Sequence, residues 1–396
     1  MSRARLPVPP LRRKVSIAKR SRPVKLTSRN VKAGNFFSMM RLGIIGLPFS
    51  GKTTLFNILT GMDLPIGALS AGGRFEAQTA VVDIPDPRLH SLSDLLKPRK
   101  TTYAKVTFAD IGGLKVGAGR EGLPGSLINQ LEQMDGLLHV VRAFDDPVAP
   151  HPAGSIDPAR DLAAMETELL LHDMLTIERR QQRLAEERQK GMRDREVIDR
   201  EIALFKRLGE ELDQERPLRT LELSPGEAQT LAGFNLLTRK PILAVINLEE
   251  GRTPPELDVR GDGFQVMSMQ GKLEMEIAQL PLDEAQSFLA EYGIEQPGRE
   301  RIIRASYDLL GLNSFYTVNE QEGRAWMLPR GGTALDAAGT VHSDLARGFI
   351  KAEVIAWDEL LALGSLAEAR AQGKLRLEGK DYTMADGELI YIRFSL

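Results

Sequence analysis

The sequence contains no cysteine and only five histidines among its 396 residues. Without cysteine, the chain has no disulfides, thiolate nucleophiles or cysteine zinc sites. The histidines are scattered, and no two of them have the spacing of metal ligands: His90, His139, His151, His172 and His342. No apolar run approaches the ~18 residues that a membrane-spanning helix needs. The formal net charge is only −2, so any contact with nucleic acid or lipid must come from a local patch.

Acidic residues are also absent from the first 38 positions, which carry many cations. These cations are Arg3, Arg5, Arg12, Arg13, Lys14, Lys19, Arg20, Arg22, Lys25, Arg29 and Lys32. No apolar core follows them, so the segment is not a secretory signal. It could be an organellar transit peptide, a basic arm for RNA, or an extension upstream of the functional chain. We favour the extension, because Met39 and Met40 directly precede the first strand, and we expect disorder in all three cases.

Short apolar runs alternate with helical patterns over much of the chain. The runs at 42–46, 79–84, 105–109, 137–143 and 242–246 predict strands. The last two runs are continuously apolar, which is typical of central parallel strands that are buried on both faces. The alternation of strand and helix predicts an α/β fold with a mostly parallel sheet and helices on both faces.

The alternation breaks twice, and the breaks suggest domain boundaries. Between 157 and 219, an aspartate cap and a first-turn proline open a long, charged, amphipathic stretch that GMRD interrupts. This stretch predicts a coiled-coil-like helical hairpin, which is either a plain structural arm or a partner-binding lever. After Gly311, short alternating segments separated by glycines predict a small mixed β domain. The predicted domains are a basic extension (1–39), a nucleotide-binding domain in two parts (40–150 and 236–311), an inserted helical domain (151–235) and a C-terminal domain (312–396).

The segment GLPFSGKT follows the first predicted strand and fits the pattern G-x-x-x-x-G-K-[ST] of a phosphate-binding loop. It consists of Gly46, Leu47, Pro48, Phe49, Ser50, Gly51, Lys52 and Thr53, and Thr54 continues into the helix that follows. The glycines let main-chain amides point at the phosphates, and the helix N-terminus adds a positive dipole. We expect Lys52 to contact the β- and γ-phosphates and Thr53 to bind Mg²⁺.

A second part of the predicted site is DIGGL, which ends the strand at 105–109. Asp110 is expected to hold Mg²⁺ through water, and the Gly113 amide to bind the γ-phosphate. Leu114 stands where many GTPases carry the glutamine that orients water, so hydrolysis must recruit another group. His139 in LLHVV is one candidate, and a histidine that is simply buried in the core fits the sequence equally well.

The loop after the strand at 242–246 is expected to select the base. Guanine-specific proteins place Asn-Lys-x-Asp here, and this chain has Asn247, Leu248 and Glu250 at the corresponding positions. The longer glutamate displaces the carboxylate from guanine N1–H and the 2-amino group, so guanine preference should weaken. Asn247 remains able to bond N7 or an exocyclic amine. We therefore predict ATP in preference to GTP.

These motifs resemble those of the YchF-type Obg-like ATPases, a branch of the translation-factor GTPases. The resemblance covers nearly the whole chain from Met40 and rests on GLPFSGKTTLFN, DIPDPRLHSLSDLLKPRK, DIGGL, LLHVVRAF, IDPARDLAAMETELLLHD, NLEE and KLEMEIAQL. The block from AGTVHSDLARGF to ELIYIRF is the most specific part. It resembles the family's TGS domain, a ubiquitin-like β-grasp module.

The resemblance implies a P-loop ATPase with an inserted coiled-coil arm and a TGS domain. It implies Mg²⁺-dependent ATP hydrolysis that is slow unless stimulated, and association with ribosomes or ribosomal RNA in translation or stress responses. It matches Asn247 and Glu250 to the family's Asn-x-x-Glu motif, and Leu114 to its hydrophobic substitute for glutamine. It also matches His139 to the family's histidine, which strengthens the catalytic interpretation. We further expect a cytoplasmic protein that does not bind membranes, with a monomer favoured.

The phosphate loop departs from the family pattern, which usually reads Gly-Leu-Pro-Asn-Val-Gly-Lys-Ser. Phe49, Ser50 and Thr53 replace the asparagine, the valine and the serine. The Thr53 change is harmless because the hydroxyl is kept, whereas Phe49 is expected to place a bulky ring beside the phosphates.

The switches and the base loop depart from the pattern as well. Arg74 occupies the expected place of the first-switch threonine, so one Mg²⁺ ligand is missing unless Ser70 or Thr79 substitutes. Pro124 stiffens the second switch. In VMSMQGKLE only Ser268 is predicted to contact the base. The alternative function is therefore a catalytically impaired scaffold that binds nucleotide and ribosomes without useful hydrolysis.

Overall fold

The computed structural model describes residues 40–65, 78–112, 123–191, 193–257, 263–292, 294 and 296–395. Its strands are β1 (Met40–Ile45), β2 (Gln78–Asp83), β3 (Lys100–Thr102), β4 (Lys105–Asp110), β5 (Gly136–Ala143), β6 (Ile242–Leu248), β7 (Phe264–Met269), β8 (Leu312–Val318), β9 (Glu322–Pro329), β10 (Phe349–Ala356), β11 (Arg376–Glu378) and β12 (Glu388–Phe394). Its helices are α1 (Lys52–Thr60), α2 (Pro87–Leu96), α3 (Gly125–Glu132), α4 (Pro158–Lys190), α5 (Arg195–Asp213), α6 (Pro225–Leu231), α7 (Gly271–Ala278), α8 (Leu282–Glu291), α9 (Gly298–Leu309), α10 (Ala334–Val341), α11 (Ser343–Arg347), α12 (Trp357–Leu363) and α13 (Leu366–Ala371). Short 3₁₀ helices lie at Leu218–Thr220 and Leu237–Arg239.

The first sheet carries the predicted nucleotide-binding elements. Its strand order is β2-β4-β1-β5-β6-β7, and only the β2–β4 pair is antiparallel among the described strands. Every residue of β5 and β6 is buried, because both strands lie inside the sheet with packing on both faces. The predicted α/β fold with a mostly parallel sheet is confirmed.

Helices α4 and α5 form a long antiparallel hairpin between β5 and β6. Asp157 caps α4 by accepting a hydrogen bond from the Arg160 amide, and Pro158 occupies its first turn. The two helices bury an apolar seam: Leu170, Ile177, Leu184, Ile198, Leu204, Phe205, Leu208 and Leu212. Arg180 on α4 reaches Glu201 on α5 at 2.6 Å, which fixes the register of the pair.

The hairpin is tied to the first sheet by a buried carboxylate on α4. Asp173 accepts hydrogen bonds from the Leu237 amide at 2.9 Å and the Thr238 amide at 2.8 Å. The Thr238 hydroxyl donates a third bond at 2.6 Å. Burial raises the pKa of Asp173, and these three donors oppose that rise. The base of the hairpin is thus fixed just before β6.

The second sheet has the order β11-β10-β12-β8-β9-β3. Its last strand, β3, comes from the chain between β2 and β4, far from the other five in sequence. Lys100–Thr102 pair in parallel with Glu322, Gly323 and Arg324 of β9. This pairing is not predictable from the sequence, because a three-residue strand is too short to show a period-2 hydrophobic pattern.

One apolar core runs between the two sheets. From the side of the first sheet it includes Phe56 of α1, Leu89 of α2 and Phe108 of β4. From the second sheet it includes Tyr316 of β8 and Leu389 of β12. The C-terminal module (residues 312–395) is therefore packed against the first sheet. In the described residues, no helix combines the length and apolar character of a membrane span.

Candidate nucleotide-binding site

The phosphate-binding loop connects β1 to α1, as predicted. Gly46 and Gly51 have φ angles of 148° and 96°, and residues that carry a Cβ rarely adopt such positive angles. A Cβ on Gly46 would overlap the Val140 carbonyl oxygen, and one on Gly51 would overlap the Asn247 amide. Both glycines are thus required by close approach as well as by backbone conformation.

Lys52 is buried at the start of α1 and folds back over the loop. Its Nζ donates to the Leu47 carbonyl oxygen at 2.8 Å and to the Gly46 carbonyl oxygen at 3.2 Å. Burial lowers the pKa of Lys52 to about 8, although the nearby Asp110 carboxylate opposes this shift. A buried, poorly solvated ammonium inside a loop of main-chain amides is suited to binding an anion.

Thr53 and Asp110 meet across the sheet beside this lysine. The Thr53 hydroxyl donates to Asp110 Oδ2 at 2.9 Å, and Asp110 pairs with Ile44 of β1 in the strand register. Burial raises the pKa of Asp110, while the Thr53 hydrogen bond and Lys52 lower it. A hydroxyl and a carboxylate are the hard oxygen donors that Mg²⁺ prefers, so these two residues fit the predicted metal site.

Phe49 lies in the left-handed region of backbone space with φ of 62°. This conformation is costly for an aromatic residue and easy for asparagine. The residue is 39% exposed, so Phe49 is in contact with solvent at the surface of the loop. Ser50, by contrast, is buried, and its hydroxyl has no hydrogen-bond partner in the described residues.

His139 lies on β5 opposite Ile45, the last residue of β1. Only 2% of it is exposed, and its Nε2 has no hydrogen-bond partner in the described part of the chain. Burial, together with the positive charge of Lys52, lowers the pKa of His139 to about 3. The imidazole is therefore neutral at physiological pH and lies in the core beside the phosphate loop.

Asn247 fastens the phosphate loop to the loop that follows β7. Its Nδ2 donates to the Ser50 carbonyl oxygen at 3.1 Å, and its Oδ1 accepts from the Gly271 amide at 3.0 Å. The side chain is 6% exposed and retains one amide hydrogen for a base. Its first task in this structure is thus to position the loop, which sequence analysis did not foresee.

The other two predicted base contacts, Glu250 and Ser268, differ in solvent exposure. Glu250 follows β6 and is exposed. Ser268 lies within β7 opposite Ile246, and its carbonyl oxygen accepts from Arg301 at 3.2 Å. The loop at the end of β7 begins instead at Gln270, which sequence analysis missed. The Gly271-Lys272 pair that follows Gln270 was the signal in the sequence from which the position of this loop could have been predicted.

Some predicted residues lie outside the described part of the chain. Gly113, Leu114, Ser70 and Arg74 belong to this group. Thr79, the other candidate substitute for the first-switch threonine, is exposed on β2 opposite Ala109. Pro124 directly precedes α3 with φ of −54°, an ordinary proline conformation at a helix start.

Comparisons with known proteins show the family of this chain. The model of the YchF-GTPase_C family, described as a protein of unknown function (DUF933), matches residues 312–395. The chain is similar to the ribosome-binding ATPase YchF of Bacillus subtilis (strain 168), with 38% identity over 368 residues that cover 89% of this chain and 99% of that protein. The protein of the same name in Escherichia coli O157:H7 is 35% identical over 367 residues, covering 90% of this chain and 99% of that protein. The solved structure of the Schizosaccharomyces pombe YchF GTPase matches with a TM-score of 0.77 and 26% identity over 92% of this chain and 100% of that one. From its phosphate loop to its C-terminal module, the chain belongs to the YchF family.

Proposed function

We propose that this chain is a Mg²⁺-dependent switch that binds and hydrolyses ATP and associates with ribosomes. The observation that carries the proposal is the contact between Thr53 and Asp110 at 2.9 Å, beside the buried Lys52 in its glycine-bounded loop. The ammonium of Lys52 and the side-chain oxygens of Thr53 and Asp110 thus lie together at the ends of the neighbouring parallel strands β1 and β4, which supports the proposal. Such an edge is where ligands of open α/β sheets bind.

Each residue of the site has a proposed task. Lys52 would exchange its carbonyl contacts for phosphate oxygens, which restores the charge that burial disfavours. Thr53 and Asp110 would hold Mg²⁺, which when bound supplies positive charge beside the β- and γ-phosphates. The remaining loop residues from Gly46 to Gly51 would contact the phosphates through main-chain amides, except Pro48, which has no amide hydrogen and would shape the loop. Gly113 would sense the γ-phosphate.

His139 is the proposed catalytic partner of Lys52. As a neutral imidazole it can accept a hydrogen bond from water and orient it, and its orphaned Nε2 is the atom available for this task. It is buried, so water must reach it before hydrolysis proceeds. This requirement agrees with slow hydrolysis in the absence of a stimulating partner.

The preference for ATP over GTP is also a proposal. It is supported by Glu250, whose longer side chain replaces the guanine-reading aspartate. Asn247 keeps one amide hydrogen that can bond N7 of either purine, so it contributes binding without choosing between the bases. The names of the relatives differ on this point, since the bacterial proteins are called ATPases and the fission-yeast structure a GTPase.

The proposed domain organisation follows the predicted boundaries. Segments 40–150 and 236–311 would form the nucleotide domain, 151–235 the coiled-coil arm, and 312–396 the TGS domain. The parallel pairing of β8 with β12, the first and last strands of the C-terminal module, supports a β-grasp. Ribosome association, and with it a cytoplasmic location, is proposed because the bacterial relatives are named ribosome-binding. A monomer remains a prediction.

One observation favours the impaired scaffold as a second candidate. The left-handed conformation of Phe49 introduces strain in the phosphate loop, and strain there opposes the movements that hydrolysis requires. In this case ATP and ribosome binding would persist without turnover.

A turnover assay with purified protein and ribosomes tests the proposal. Wild type should hydrolyse ATP with Mg²⁺, and Lys52→Ala and Asp110→Ala should each lose most of this activity. Lys97→Ala, an exposed lysine elsewhere on the same domain, is the matched control and should keep it. ATP binding without turnover at any ribosome concentration would establish the scaffold instead.

A further inference from the structure

Gln270 occupies the short connection between β7 and α7, at the carboxyl edge of the first sheet. The residues on both sides of it contact Asn247: Met269 pairs with it in the strand register, and the Gly271 amide donates to its Oδ1 at 3.0 Å. The phosphate loop follows β1, whereas β6 and β7 lie farther along the same sheet. A nucleotide whose phosphates bind at Lys52 therefore extends its base toward Gln270 and the loop after β6.

The side-chain oxygen of Gln270 has no partner. Oε1 is buried, and no group in the described residues donates a hydrogen bond to it. The backbone around it is fixed, because the Gln270 carbonyl oxygen accepts from the Glu274 amide at 2.9 Å. Glu274 in turn accepts from Arg301 at 2.7 Å and from the Gly298 amide, which anchors α7. A buried acceptor on a fixed backbone is unfavourable unless a ligand or water donates to it.

The missing donor matches the chemistry of adenine. Adenine carries an amino group at position 6, which donates, whereas guanine carries an oxygen there, which accepts. A glutamine carboxamide can accept from that amino group and donate to a ring nitrogen at the same time. Facing guanine in the same pose, Oε1 would meet a second acceptor. A site that hydrogen-bonds a ligand group rejects the analogue without it, because its own polar atom is then left unpaired.

We propose that Gln270 is a specificity-determining residue of the nucleotide site, where Oε1 accepts a hydrogen bond from the 6-amino group of adenine. The inference rests on the proposed ATP-binding function and explains its base preference. It assigns the reading of position 6 to a residue after β7, whereas Asn247 holds the phosphate loop and Glu250 is an exposed residue after β6.

A comparison of three nucleotides isolates this contact. ATP, purine riboside triphosphate, which lacks only the 6-amino group, and GTP are titrated against the full chain with Mg²⁺. Wild type should bind ATP about tenfold more tightly than the purine analogue, the ratio expected for one buried hydrogen bond. Gln270→Ala should lose this ratio by weakening ATP alone, with the affinity for the purine analogue unchanged.

Two further variants keep the test decisive. Gln270→Met preserves the side-chain length without the carboxamide, so it should lose the ratio as Gln270→Ala does, and it replaces Gln270→Ala in the test if the alanine variant folds poorly. Gln279→Ala removes an exposed glutamine at the other end of α7 and should bind all three nucleotides like wild type. A wild-type ratio near one, or an equal loss for ATP and the purine analogue in Gln270→Ala, would overturn the assignment. In either of these outcomes, tight ATP binding by wild type would leave the proposed function standing. If wild type binds none of the three nucleotides, the Gln270 assignment and the proposed function are both rejected.

Discussion

The guanidinium of Arg88, at the start of α2, lies 2.7 Å from the carboxylate of Asp386 in the C-terminal module. The same guanidinium holds Asp86 at 3.0 Å, and the buried Tyr316 hydroxyl donates to Asp86 Oδ2 at 2.7 Å. Asp386 also accepts from the Ser314 amide at 2.7 Å. Burial and the Asp86 carboxylate raise the pKa of Tyr316, so its hydroxyl stays protonated as a donor. This cluster joins the start of α2 to β8 and to the segment just before β12 in the C-terminal module.

Removing Arg88 should therefore destabilise the protein. In Arg88→Ala the Asp86 carboxylate remains buried without its cation, and we expect a loss of about 3 kcal/mol in the free energy of unfolding. Asp386 is half exposed, so Asp386→Ala should cost only about 1 kcal/mol. Urea denaturation followed by circular dichroism measures both values.

The matched control for this pair is Arg330 and Asp308, which are also 2.7 Å apart but more exposed. Arg330→Ala should change the free energy of unfolding by less than about 1 kcal/mol. Equal costs for Arg88→Ala and Arg330→Ala would contradict a structural role for the buried cluster.

The backbone at Phe49 provides a second prediction. Asparagine tolerates the left-handed region that a phenylalanine adopts at a cost, so Phe49→Asn should raise the free energy of unfolding by about 1 kcal/mol. Phe49→Ala is the control, because alanine carries the same backbone penalty and should not stabilise the protein. Thermal unfolding without nucleotide compares the three proteins. No gain in Phe49→Asn would mean that the loop is unstrained.

Nucleotide binding should depend on pH through Lys52. Its pKa in the free protein is lowered to about 8 from 10.5, so near pH 8.5 much of the population is neutral. Phosphate oxygens favour the charged form, and binding should therefore take up a proton and weaken as the pH rises above 8. Calorimetry in two buffers with different ionisation enthalpies measures the uptake. Lys52→Arg stays protonated and should bind without it; identical uptake in both proteins would exclude Lys52 as the source.

His139 should make the fold sensitive to acid. Its pKa is lowered to about 3 in the folded state from 6.5, so between these values the unfolded chain binds more protons. Stability contributed by the neutral imidazole is complete above pH 6.5 and falls as the pH drops toward 3. Urea midpoints at pH 7.5, 6 and 5 should decline less in His139→Asn than in wild type. Parallel declines would show that the imidazole titrates normally.

Sequence determined the parts of the site that are local. The spacing from Gly46 to Thr53 fixes a loop between a buried strand and a helix, since glycine conformations and the helix start depend on neighbouring residues. Asp110 could be placed because it ends an apolar strand, and carboxyl ends of neighbouring parallel strands share one edge. The hairpin of α4 and α5 was equally readable, because its caps and amphipathic periodicity lie within the segment.

Only the tertiary structure decided the contacts between distant segments. Arg88 and Asp386 are 298 positions apart, and nothing in either local sequence specifies the other. The pairing of β3 with β9, the Asn247 contact with the phosphate loop and the burial of His139 also depend on how separate elements pack. Local patterns encode backbone conformation and which face is apolar, whereas partner choice and desolvation are set by the whole packed core. For this reason the sequence determined the loop from Gly46 to Thr53 and the position of Asp110 at a strand end, and the folded chain alone determined what holds them in place.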